Sequence, residues 1–219
     1  MVILLKKSLA LSSFAVILLA NALLYHFVVT QANYWIYGEN SLLENMQALI
    51  ALTAGLIGLF QPKNNNHLLR VVGYSFAFLG LAIFLREVDV EKLPYDIPAL
   101  LLWLGHGTGR NIVLVILLSL IIWQAKSLLS TIKNNFKPLL FSPAGRLMAS
   151  SFILLLLSDL FEKSIIGGAQ HVFYEELMEL DAYFLFLFAA LVIRPSFAGL
   201  NTESSIKKQS ANLEMAVTR

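Results

Sequence analysis

The sequence predicts an all-α, polytopic integral membrane protein: a six-helix transmembrane bundle with a short re-entrant or interfacial segment near residues 96–109. Three observations carry this prediction. The 219-residue chain is 58% hydrophobic and only 14% charged, against about 25% charged in a soluble domain. Its apolar residues gather in runs of roughly 20, the length that crosses a hydrocarbon core about 30 Å thick. Turn residues and charges collect between the runs. The chain has no cysteine, which excludes disulfides, thiol chemistry and Cys-ligated metals.

The runs place spans at about 8–29, 42–61, 70–88, 110–132, 146–167 and 171–194. Pro62 with Asn64-Asn65-Asn66, then Pro94, then Pro138 and Pro143, then Gly167-Gly168 supply the breaks. Residues 1–195 form one transmembrane domain. Pro195 stops the last helix, and 196–219 read as a disordered polar cytoplasmic tail. The first run has a rival reading: Lys6-Lys7, an apolar stretch and Ala20-Asn21-Ala22 resemble a signal peptide with a small-residue cleavage site. Leu23, Leu24, Phe27 and Val28 carry the apolar character past that point and favour a retained helix.

Charge orients the bundle. Of the 16 Lys and Arg residues, 12 fall on one side of the predicted spans; only Arg86, Lys92, Arg110 and Lys163 fall on the other. The positive-inside rule then puts both termini in the cytoplasm, with the other end facing the periplasm or exterior of a bacterial inner membrane. Basic residues scattered over short loops give no nucleic-acid surface.

The acids are still more lopsided. Of 14, 12 lie at the outward end; only Glu203 and Glu214 fall in the tail. A carboxylate inside a span costs about 2.5–3.5 kcal/mol on insertion scales, so it persists where it pairs, binds a cation or lines a wet cavity. Twelve acids against four cations leave a surplus that pairing alone does not absorb.

The most specific signal is the hairpin of the last two spans, Ser158-Asp159-Leu160-Phe161-Glu162-Lys163 followed by His171-Val172-Phe173-Tyr174-Glu175-Glu176-Leu177-Met178-Glu179. A turn near residue 169 sets Asp159 level with Glu179, Glu162 with Glu176 and Lys163 with Glu175, the first pair about 12–15 Å below the turn. Spacing of i,i+4 stacks His171, Glu175, Glu179 and Tyr183 on one stripe, with Glu176 beside it and Asp181 pointing nearly the opposite way. Asp159, Glu175, Glu176 and Glu179 are therefore the candidate catalytic acids and bases. Glu162, His171, Glu44 and Glu87 are candidate ligands for a divalent metal ion. His26 and His106 fall at the same end and could join such a site.

Helix two opens with Glu44, Asn45 and Gln47 behind Asn40 or Ser41, and a helix cap accounts for Glu44 better than for Gln47. Gly105-His106-Gly107-Thr108-Gly109-Arg110-Asn111 forms a Gly-rich turn into helix four. With Arg86, its Arg110 and His106 are candidates for holding an anionic group. The turn lacks the Gly-Lys-Ser/Thr ending of a Walker loop, and no HExxH pattern occurs. Glu175-Glu176 lacks the arginine that intramembrane CAAX-type proteases carry four residues on, where this chain has Leu180.

Three functions follow from this pattern. One is a metal-dependent or acid/base membrane enzyme, such as a hydrolase, acting on a lipid or lipid-linked substrate at the outer leaflet. The others are a non-catalytic subunit docking another membrane protein through its charged end, and a cation- or proton-coupled transporter. Polar groups in the cytoplasmic halves are scattered, Thr53, Ser119 and Ser150 among them, which weakens transport.

Overall fold

A computed structural model describes residues 2–37, 41–61, 67–88, 98–166 and 168–217. Glu39, Asn40, Pro62, Asn64 to Asn66, Asp89, Glu91, Lys92, Pro94, Asp96 and Gly167 lie outside the described residues, and with them several predicted turns and one predicted cap. Helices make up nearly all of the described chain, and no strand occurs in it. They run α1 (Val2–Tyr25), α2 (Leu42–Phe60), α3 (His67–Glu87), α4 (Ala99–Gly105), α5 (Gly107–Phe141), α6 (Pro143–Glu162) and α7 (His171–Val217), with a π turn at His26–Thr30 and 3-10 turns at Tyr34–Ile36 and Gly168–Gln170. Among the described residues, four segments are long and apolar enough to cross a membrane: Leu42–Phe60, Leu68–Glu87, Gly107–Lys126 and Pro143–Glu162.

α7 is the hub, packing against α6, α2, α3 and α1. It buries Phe173, Leu180, Ala182, Tyr183, Phe186, Ala189, Ala190 and Ile193 around most of its circumference, the pattern of a helix enclosed by others. Two apolar clusters stack along it. One joins Leu43, Ile50, Phe173, Leu180 and Tyr183 with Val28 and Ile36. The other joins Ala54, Phe76, Phe186 and Ile193, where the Phe76 and Phe186 rings stack at 4.7 Å.

α2 and α3 approach almost backbone to backbone. A Cβ on Gly58 would stand 2.7 Å from the Gly73 carbonyl oxygen, and one on Gly80 would overlap that of Ala51. Small residues allow this contact, which suits helices that associate through van der Waals packing in lipid. The α3–α5 seam has a polar pin: buried Gln124 donates from Nε2 to the Val71 carbonyl at 2.6 Å.

Three element ends differ from the sequence expectation. α5 runs through Pro138 and breaks only at Ser142, whose hydroxyl accepts from the Gly145 amide at 3.0 Å while Pro143 opens α6. That cap satisfies an orphan amide at a position where proline needs none, so it outcompetes Pro138 as the break. α7 continues past Pro195, its backbone helical to Val217. At α2, Ser41 holds the N-cap position without a side-chain cap bond; the Asn45 side chain instead donates to the Ser41 carbonyl at 2.8 Å.

Candidate functional site

The start of α2, the end of α3, the end of α6 and the start of α7 meet at one end of the bundle, and the acids meet there with them. Arg86 is the hinge of the arrangement. Its Nε lies 3.3 Å from Glu87 Oε1, and its Nη2 donates to Glu179 Oε1 at 3.4 Å. The Tyr183 hydroxyl, fully buried, donates to Glu87 Oε1 at 3.1 Å, and Ser158 Oγ lies 3.4 Å from Glu179 Oε1. One guanidinium, one phenol and one hydroxyl thus converge on two carboxylates from different helices. The Glu87 side chain is 8% exposed while that of Arg86 is 63% exposed. The cation faces outward, and its partners face in.

A second pair stands beside the first. Fully buried Gln47 donates from Nε2 to both the carbonyl oxygen and Oε2 of Glu176, each at 2.9 Å. Such a pairing satisfies a carboxylate with a neutral donor and leaves its charge uncancelled. Glu44 lies within electrostatic range of Glu87 and Glu176, and Glu175 within that of Glu179, Glu162 and Arg86. Among the described residues, Glu44, Glu87, Glu175, Glu176 and Glu179 thus gather near one arginine, while Asp159 and Asp181 are paired elsewhere.

The expected α6–α7 register holds to within a residue, since Ser158 meets Glu179 where Asp159 was set level with it. The facing side chain differs. Asp159 turns outward to pair with Lys163 one turn along α6, and its carboxylate holds the lysine ammonium above the usual lysine range through their hydrogen bond. An exposed lysine at i+4 competes for Asp159, whereas serine is small enough to fit the α6–α7 seam. The stripe on α7 brings Glu179 and Tyr183 into the cluster. His171 is half-buried, and its Nδ1 has no hydrogen-bond partner.

His106 and Arg110 stand at the junction of α4 and α5. The Gln124–Val71 bond sets Arg110 roughly level with the end of α3, yet no side-chain hydrogen bond or ion pair joins it to the cluster among the described residues. His26, in the π turn after α1, is exposed and lies 3.4 Å from the Gln31 side chain. Among the described residues no three His, Asp or Glu side chains are grouped so as to hold a metal ion, and this includes Glu162, His171, Glu44 and Glu87.

Sequence reasoning named Gln47 and Tyr183 without giving them a role in the site. A glutamine in an apolar run beyond the capping turn, and a tyrosine at i+4 from Glu179, were the available signals. Asp181, expected to point away, does so, and accepts from the Asn21 amide of α1 at 2.8 Å.

No family model, curated protein or solved structure matches this chain, so a functional reading rests on its own residues.

Proposed function

We propose that this chain is an integral membrane enzyme of six spans, with both termini in the cytoplasm and the Arg86 cluster facing the periplasm or exterior of a bacterial inner membrane. In this reading α1 and the first part of α7 join the four apolar helices as spans. α4 is the interfacial or re-entrant piece, tolerated where protein or water covers its ends. The reaction is acid/base chemistry on a lipid or lipid-linked substrate at the outer leaflet, hydrolysis or group transfer.

The observation that carries it is the Arg86–Glu87–Glu179–Tyr183 network. Two buried carboxylates share one half-bare guanidinium, so Arg86 neutralises one charge and leaves an acid able to exchange a proton. Glu179 accepts from Arg86 and stands 3.4 Å from Ser158, whose hydroxyl donates to the Leu155 carbonyl at 2.8 Å; the Arg86 contact orients Glu179 as the base that takes a proton from water or an attacking hydroxyl. Glu176, held by Gln47, and Glu175 complete the acid/base set. Asp159 with Lys163, together with Arg110 and His106, forms the rim where an anionic headgroup is received alongside the exposed face of Arg86. The metal-dependent form, with Glu162, His171, Glu44 and Glu87 as ligands, draws no support from a ligand group among the described residues, so the acid/base form is carried forward.

Transport is the weaker reading. The Thr53 and Ser119 hydroxyls each donate at 2.7 Å to a carbonyl of their own helix, Leu49 and Val115, and so have no hydrogen left to donate to a passing solute. A docking subunit has the charged end but leaves the buried network without a role.

The test compares extracted lipids and lipid-linked intermediates from one host expressing the wild-type chain or Glu179→Gln at equal abundance. At least one species should accumulate or disappear with the wild type alone. Identical profiles would remove the enzymatic reading.

A further inference from the structure

Away from the acidic cluster, α1 and α7 share a polar contact with an unbalanced hydrogen count. Asn21 Nδ2 donates to Asp181 Oδ2 at 2.8 Å across 160 residues of sequence. The two remaining oxygens, Asn21 Oδ1 and Asp181 Oδ1, are both buried, and neither has a hydrogen-bond partner. Both are acceptors if Asp181 is ionised, and buried acceptors without donors are costly. Turning the Asn21 amide over exchanges the roles of its two atoms but leaves the same shortage of one donor hydrogen.

No cation supplies it. Asp181 belongs to no ion pair among the described residues. The charged and titratable neighbours on α7, Glu179 and Tyr183, turn to Arg86 and Glu87 on α3. From α2, Gln47 is committed to Glu176; from α6, the Ser151 hydroxyl donates to the Ala182 carbonyl at 2.7 Å. Among the described side chains of α1, Asn21 is the one hydrogen-bonded to Asp181.

We propose that Asp181 is held as a neutral carboxylic acid whose Oδ1–H donates to Asn21 Oδ1, closing a two-point acid–amide ring that clasps α1 to α7 through one bound proton. One hydrogen satisfies both orphan oxygens, and it spares the apolar interior an isolated charge. The clasp matters because few of the described side chains of α1 pack against the core. Phe14, Val16, Leu18, Leu19 and Leu23 are all exposed, and α7 is the main helix it touches. Loss of the proton breaks one arm of the ring and sets a carboxylate against the amide oxygen. The attachment of the first helix is therefore sensitive to alkaline pH. This site is independent of the enzymatic reading.

Infrared difference spectra of the full chain in phospholipid bilayers test it directly. At neutral pH the wild type should show a neutral carboxylic-acid carbonyl component that is lost in Asp181→Asn and retained in Glu179→Gln, over any band the other carboxyls contribute to all three. Because asparagine can close an amide–amide ring in the same place, Asp181→Asn should accumulate to wild-type levels. Spin labels on Leu24→Cys and Leu177→Cys, which flank the clasp on α1 and α7 in one apolar cluster, should report one distance at all pH values in Asp181→Asn. The same pair in the otherwise wild-type chain should separate at alkaline pH. The proposal fails if that component is missing or survives in Asp181→Asn. It fails equally if that variant does not accumulate, or if both backgrounds respond to pH alike.

Discussion

Arg86 and Glu179, 93 residues apart, meet at 3.4 Å through Nη2 and Oε1, joining the end of α3 to the first turns of α7. This contact turns a list of acids into a site. It gives one carboxylate a charged partner with most of its surface bare, and it draws Glu87 and Tyr183 into the same network.

Orientation is open to a background-free check, because the chain has no cysteine. A cysteine placed at Lys163 should react with a membrane-impermeant maleimide added to intact cells, and one placed at Lys208 should react only after the membrane is opened. The reverse pattern would turn the acidic end inward and remove the outer-leaflet substrate.

Gln47→Leu keeps the volume of a fully buried side chain but removes both donors to Glu176. An unsatisfied buried acceptor costs about 1–3 kcal/mol, so thermal unfolding in detergent should shift downward, while the helix content of the folded state is kept. A shift no larger than that of a lipid-facing substitution such as Leu49→Ala would show that the pairing contributes nothing.

The α2–α3 contact predicts a contrast between two glycines. Gly80→Val drives a side chain into the Ala51 carbonyl and should destabilise by about 1–3 kcal/mol or more, as overpacking does. Gly107→Ala meets no atom within 4 Å and is strained only by its backbone φ of +54°, a cost of about 1–2 kcal/mol. Relative yields of folded protein, and denaturant midpoints in micelles, should rank Gly80→Val as the worse.

Lys163→Ala removes the partner of Asp159 at an exposed position. Surface pairs of this kind carry little stability, so no change in unfolding midpoint is expected. A marked loss would mean that the pair is covered by something the isolated chain does not contain.

Much of this was legible in the sequence. Apolar runs located α2, α3 and α6 to within a few residues, because lipid requires every backbone group to be paired within its own helix. The i,i+4 stripe found Glu179 and Tyr183, and the opposite direction of Asp181 followed from the same helical period. Rotational detail was not legible. Ser158 rather than Asp159 faces α7, because a one-residue step turns a side chain by about 100° and the choice depends on packing. Nor could composition show that Pro138 would be absorbed into α5, where a better cap lay four residues on, or that Gln47 would be held by a glutamate in α7.

The most direct test compares the lipid-linked conversion, once a responsive species is found, among three chains at equal membrane abundance: wild type, Glu179→Gln and Asp159→Asn. Removing a positioned acid or base slows a reaction by about 10²–10⁴-fold. Glu179→Gln should fall in that range, while Asp159→Asn, whose carboxylate serves Lys163 at the rim, should stay within a few-fold of the wild type. Full activity in Glu179→Gln would contradict the account, because the shared carboxylate at its centre would then be structural alone.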